Sequence, residues 1–125
     1  MISVGTSASI SLTVSEADTA IALGSGDVAV LGTPRVVALC EEAAVAALAG
    51  SLPRGMTSVG IRITVDHTKA TGIGGRVTAK ATVSAVDGKR ISFVVELFEG
   101  DRTTANGTHT RIVVSRKRFE ESVDR

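Results

Sequence analysis

Hydrophobic and polar residues alternate along most of this chain, with period two. From Ser7 to Val14, Ile10, Leu12 and Val14 interleave with Ser9, Ser11 and Thr13. A strand with one buried face reads this way, because successive side chains point to opposite sides of a sheet. Beyond residue 56 the pattern returns and holds. Val59, Ile61, Ile63 and Val65 alternate with Gly60, Arg62, Thr64 and Asp66, and His67 falls on the apolar parity at the strand's end. Val77, Ala79, Ala81, Val83 and Ala85 alternate with Thr78, Lys80, Thr82 and Ser84. Ile91, Phe93, Val95 and Leu97 alternate with Ser92, Val94, Glu96 and Phe98, and a last strand runs from about Thr103 to Ser115. Turns separate these runs at Thr71 to Gly75, at Asp87-Gly88 and at Glu99-Gly100-Asp101. Asp-Gly between alternating runs is a strong hairpin signal.

One segment breaks the period. Thr33-Pro34 opens it, with Thr as a good N-cap and Pro favoured at the first helical position. The spacing predicts a helix from Pro34 to Ala49, stopped by Gly50. Its interior is apolar nearly all round, interrupted only by Glu41 and Glu42, which predicts burial on most sides. Ser15 to Leu31 reads as a mobile connection with a short helical turn, of a length that often serves as a lid or binding loop. The tail, Arg116 to Arg125, is mostly charged and reads as frayed or as a short terminal helix. The fold class is therefore α+β. Residues 1–125 form one domain, a curved five-stranded antiparallel sheet wrapped around one central helix, with the later strands joined by short hairpins.

Composition narrows the function. Lys and Arg total 14 and Asp and Glu 13, a net charge of +1. That balance, and the lack of an aromatic stacking platform, argue against nucleic acid and against a membrane surface. No apolar run approaches a membrane span and no leader is visible, so the expected location is cytoplasmic. The single cysteine, Cys40, excludes an intramolecular disulfide and a multi-cysteine zinc site. The two histidines lack metal-ligand spacing, and no metal or cofactor is expected. Aromatic residues are 2% of the chain: no Trp, no Tyr, and only Phe93, Phe98 and Phe119. A small core built from Val, Ile, Leu and Ala buries less area per residue, so an oligomer that completes its core at a subunit interface is expected.

Three positions stand out as candidate chemistry. Glu41 and Glu42 lie about 100° apart on the helix, so at most one faces the sheet while the other reaches water; both reaching solvent is the simpler alternative. His67 points toward the helix side, as a satisfied core histidine or as a general acid or base. Thr33 caps the helix, and a hydroxyl there sits beside free backbone N–H groups able to hold an oxyanion. Gly72-Ile73-Gly74-Gly75 precedes a strand and reads as a turn. His109 and Cys40 read as structural.

Taken together, Thr33…Leu39-Cys40-Glu41, the run Gly60 to Thr71 with His67 inside it, Val86-Asp87-Gly88-Lys89-Arg90 and Gly107-Thr108-His109-Thr110-Arg111 resemble the hot-dog fold thioesterases, in the branch that includes fluoroacetyl-CoA thioesterase. The resemblance covers about residues 33 to 115, and the N-terminal third matches in outline only. It implies a catalytic set of Thr33, Glu41 and His67, and it selects Glu41 over Glu42. It also implies that Gly60 shapes the pocket and Arg111 lies near its far end. Lys69, Arg76 and Arg111 are candidates for the CoA phosphates, with plain surface charge as the alternative for each. The implied activity is acyl-CoA thioester hydrolysis of a small or medium acyl group. A non-catalytic acyl-CoA or small-ligand binding protein on the same scaffold is the alternative, and a hot-dog dehydratase ranks last because no hydratase motif is present. The implied assembly is a homodimer joined edge to edge, or a dimer of dimers. Pro34 stands where relatives often have Gly. The connection before Thr33 lacks the aromatic residues that close the pocket in the fluoroacetyl-specific member.

Overall fold

The computed structural model describes residues 1–123. In chain order it contains β1 (Ser7–Thr13), a 3-10 turn (Glu16–Asp18), α1 (Ala20–Leu23), α2 (Thr33–Leu48), β2 (Met56–His67), β3 (Arg76–Asp87), β4 (Arg90–Glu99), β5 (Arg102–Ser115) and α3 (Arg116–Val123). The expected tail is thus helical as far as Val123, and its residues 124–125 lie outside the described residues. The five strands form one antiparallel sheet in the order β1-β3-β4-β5-β2.

Two of the expected hairpins are present, β3–β4 through Gly88 and β4–β5 through Gly100, both glycines at positive φ. The third is absent. β2 pairs with β5, and residues 68–75 carry the chain across the end of the sheet to β3. The glycine run that reads as a hairpin turn makes its bonds elsewhere: Gly74 N–H donates to the Val14 carbonyl, and Val14 N–H to the Gly75 carbonyl. It is a turn against the end of β1, so alternation identifies the strands but not which of them pair.

α2 lies on one face of this sheet. Val36, Leu39, Cys40, Ala43, Ala44, Ala47 and Leu48, spaced three and four apart, form its buried stripe. Across from them are Val77, Ala79, Ala81 and Val83 of β3 and Ile91, Phe93, Val95 and Leu97 of β4, all buried. Alanines on both sides let the helix approach closely, and each fully buried Leu, Val or Phe stabilises the fold by about 1.5–3 kcal/mol. The expectation of burial on most sides fails. Ala38, Glu42 and Val45 are exposed in the single chain, Val45 by 49%. One sheet layer covers one helix face only.

The start of α2 also differs from expectation. Gly32, not Thr33, is the N-cap, and its carbonyl accepts from Arg35 and Val36 N–H. A side chain at residue 32 has no room: a Cβ there would lie 2.9 Å from the Leu23 side chain and 3.1 Å from the Ala20 backbone. Thr33 is therefore the first helical residue, and its hydroxyl is released from capping. At the other end Gly50 takes positive φ just past the Ala49 cap, as expected of a stop.

β2 holds the last surprise. A bulge between Gly60 and Arg62 inserts one residue and reverses the alternation. Ser58 and Gly60 therefore share the helix side with Ile63, Val65 and His67, and the unbroken parity from Val59 onward fails. β2 and β5 approach closely at Gly107, where a Cβ would lie 1.8 Å from the Thr64 carbonyl oxygen. Only glycine fits there.

Candidate active site

Two polar clusters lie in the seam between α2 and β2. α2 begins where β2 ends, and this brings the first pair together: Thr33 Oγ1 and His67 Nδ1 are 2.8 Å apart. Burial lowers the pKa of His67 below the usual imidazole value, with a Lys69 backbone contact pulling the other way. The ring is thus neutral at pH 7. Its Nε2 is fully buried and has no hydrogen-bond partner within the described residues.

The second cluster is two helical turns along. Glu41 sits at the edge of the buried stripe, its side chain 40% exposed, whereas Glu42 turns to solvent. Its Oε2 lies 3.6 Å from Arg111 Nη1 and 4.0 Å from His109 Nε2. Gly60 makes this approach possible, since a Cβ there would come within 2.6 Å of the same carboxylate oxygen. Arg111 is 7% exposed and firmly held: Nε donates to Ser58 Oγ at 2.8 Å and Nη2 to the Ser58 carbonyl at 3.1 Å. Burial lowers its pKa and Glu41 opposes the shift.

Of the sequence candidates, the structure therefore joins Thr33 with His67, and Glu41 with Gly60 and Arg111. No direct contact links the two clusters among the described residues. On the helix their origins are eight residues apart, or about 12 Å at 1.5 Å per residue. Lys69 is exposed two residues beyond His67. Arg76 opens β3 at the same end of the sheet, but β5 and β4 lie between its strand and β2. The array of free N–H groups expected at the helix start is reduced. Pro34 has no N–H, and Arg35 and Val36 donate to Gly32. The Thr33 N–H is the one donor of this turn left without a partner among the described residues.

Sequence reasoning missed three residues here. Ser58 was hidden by the bulge. His109 and Arg111 share parity with Val113 on β5, a signal that two polar side chains face the core. Asp18 is buried and accepts from Ser15 N–H at 2.8 Å, Ser15 Oγ at 2.9 Å and Arg35 Nε at 3.1 Å. The Ser15 backbone bond is the largest cause of its lowered pKa. Asp18 thereby ties residues 15–32 to the first turn of α2, beside Thr33. The Ser15-x-x-Asp18 spacing is that of a capping box.

A long helix held on one face of a curled five-stranded antiparallel sheet, with polar groups along the helix–sheet seam, is the architecture of the hot-dog proteins. The solved structures agree. The fluoroacetyl-CoA thioesterase FlK matches with a TM-score of 0.93 and 32% identity, covering 99% of this chain and 96% of that one. A hot-dog-like protein from Thermanaerovibrio acidaminovorans matches with a TM-score of 0.88 and 29% identity, covering 96% and 89%. In sequence, the chain is 38% identical over 94 residues to the fluoroacetyl-CoA thioesterase of Streptantibioticus cattleyicolor, which is 75% of this chain and 68% of that protein. The family model described as fluoroacetyl-CoA-specific thioesterase, FlK, matches residues 14–117, and the chain belongs to this family. It is a thioester hydrolase.

Proposed function

We propose that the chain hydrolyses the thioester of small or medium acyl-CoA esters in the α2–β2 seam, with Thr33, Glu41 and His67 as the reacting set. The observation that carries this reading is the 2.8 Å Thr33–His67 contact on a neutral imidazole whose Nε2 is buried and unpartnered. A neutral imidazole of this kind is suited to exchanging a proton near pH 7. The acyl carbonyl lies between the two clusters, with its oxygen toward the Thr33 N–H. Glu41 either takes a proton from water as that water adds to the carbonyl carbon, or adds itself to give an anhydride that water then opens. In both routes the C–S bond breaks, the departing thiolate takes a proton by way of His67, and a carboxylate and free CoA result.

Gly60 leaves space for the Glu41 carboxylate, and Arg111 supplies positive charge at the far end. Lys69 and Arg76, exposed at the His67 end of the sheet, take the CoA phosphates. Residues 15–32 contain no aromatic side chain, which supports acyl groups beyond fluoroacetyl. Among the described residues the long outer edge of β2 has no partner strand, and a second copy pairs along it to give a homodimer, alone or as a dimer of dimers. Among the described residues no helix is long and apolar enough to cross a membrane. We assign the protein to the cytoplasm, in keeping with its single unpaired thiol.

Thiol release from a panel of short, medium and aryl acyl-CoAs tests the reading. Glu41→Ala and His67→Ala should each lower the rate about a hundredfold or more. Thr33→Val, which removes one hydrogen bond of roughly 1 kcal/mol, should lower it about fivefold. Saturable binding without thiol release across the panel would make the chain a binding module instead. Light scattering at two or four times the monomer mass would support the dimer or the dimer of dimers, and the monomer mass would refute both.

A further inference from the structure

We infer that His109 is a positioning residue, a neutral imidazole that fixes the Arg111 guanidinium opposite Glu41 without letting it seize the carboxylate. The inference rests on the proposed role of Glu41 in thioester hydrolysis.

His109 is 1% exposed on β5, and its ring stacks on Phe93 of β4 with centroids 5.9 Å apart. Nδ1 lies 2.7 Å from the Arg62 carbonyl oxygen. A carbonyl only accepts, so Nδ1 carries the proton. Nε2 lies 3.2 Å from Arg111 Nη1. A guanidinium only donates, so Nε2 offers its lone pair. One state satisfies both contacts: the neutral ring with its proton on Nδ1. A second proton, on Nε2, would oppose N–H to N–H and set a charge beside Arg111. The groups facing the ring are Glu41 from α2, Arg111 on its own strand, the Arg62 carbonyl from β2 and the uncharged Phe93 from β4. Burial favours the neutral form, as does Arg111, against the pull of the Arg62 carbonyl and Glu41.

Arg111 is thereby held at three points: Ser58 Oγ, the Ser58 carbonyl and His109 Nε2. The 3.6 Å separation from Glu41 is too long for a hydrogen bond. The carboxylate feels the positive charge yet keeps its lone pairs for water or substrate. Without the acceptor at Nε2, Nη1 loses the partner that competes with Glu41, and the guanidinium, still hinged on Ser58, tilts toward the carboxylate and pairs with it.

Two variants separate the parts of the imidazole. His109→Asn keeps a donor near the position of Nδ1 and loses the acceptor at Nε2, whereas His109→Gln carries an amide oxygen to about the position of Nε2. With Tm followed alongside, His109→Asn should lower kcat about tenfold or more and leave KM within about twofold. His109→Gln should recover most of the loss, and His109→Asn should add nothing in an Arg111→Gln background. Additive losses, or equal losses in both variants that track Tm, overturn the inference. A second readout needs no variant and no turnover. The chain has only two histidines, so nitrogen-15 NMR of the histidine-labelled protein resolves both rings. One ring should carry its proton on Nδ1 and stay neutral to a pH below the usual imidazole range, because burial disfavours its charged form. An Nε2 proton or a charged ring at pH 7 in the buried histidine overturns the assignment. If the wild type releases no thiol, the reading of Glu41 fails, and the NMR result still decides the state of His109.

Discussion

Gly60→Ala isolates the position of the Glu41 carboxylate from its chemistry. The added Cβ would lie 2.6 Å from Glu41 Oε2, and ordinary contact begins near 3.4 Å, so the carboxylate must move by about 0.8 Å. The methyl also meets His109 Cε1 at 3.1 Å and Arg111 Nη1 at 3.2 Å, which yield by a few tenths of an ångström. All three contacts are with side-chain atoms, and the nearest is the tip of a flexible chain. Gly60 has no positive φ, so the backbone accepts alanine without strain. The fold should therefore survive, with stability changed by about 1 kcal/mol or less. The reaction should not survive equally well, because a displacement near 1 Å at a reacting group costs up to about a hundredfold. The expected result is kcat lowered about 10- to 100-fold with Tm within a few degrees of wild type. Thiol release under saturating acyl-CoA measures the first quantity and thermal unfolding the second. A variant that turns over at the wild-type rate would refute the reasoning, since the carboxylate would then not need the place that Gly60 leaves for it.

Three other outcomes follow from the same structure. Gly107→Ala would drive a Cβ into the Thr64 carbonyl; β2 must then part from β5, at a cost of about 3 kcal/mol or more and roughly 10 °C in Tm, and an unchanged Tm would refute the close approach. Burial depresses the pKa of both His67 and His109, so the unfolded chain binds protons first. Stability should be full above about pH 6.5 and fall as the pH drops through the lower folded values, which Tm at pH 7.5 and 5.0 would check. The Cys40 thiol is pushed up to about 11, chiefly by burial and then by Glu41; it should resist a disulfide reagent in the folded chain and titrate fully in denaturant, so it adds no background to thiol-release assays.

The strands and the long helix were legible because period two and period 3.6 are properties of neighbouring residues. Pairing was not, since whether residues 68–75 turn back or cross the sheet depends on Val14, more than fifty positions away. The β2 bulge was equally hidden: nothing in Gly60-Ile61-Arg62 marks the extra residue, yet it decides that Ser58 faces Arg111. Thr33 was expected to cap the helix, and Gly32 takes that place instead. The crowding of Gly32 against Ala20 and Leu23 moves the cap back by one residue and frees the hydroxyl for His67. The choice between Glu41 and Glu42 came from the family resemblance; Glu42 is turned to solvent, and Glu41 lies 3.6 Å from Arg111. His109 could have been found from its parity with Arg111 and Val113. What the sequence lacked was the pair of contacts that fixes its proton.

The tie between Asp18 and Arg35 has a consequence for how such an enzyme changes over generations. It anchors residues 15–32 to α2 at one place, while the groups proposed to react sit on α2 and β2. The segment before α2 is thus separable from those groups. Its exposed side chains can change so long as the Asp18–Arg35 tie, the buried Leu31 with its bond to the Thr71 carbonyl, and Gly32 are kept. New acyl preferences can arise in this lineage without any alteration of the machinery beneath.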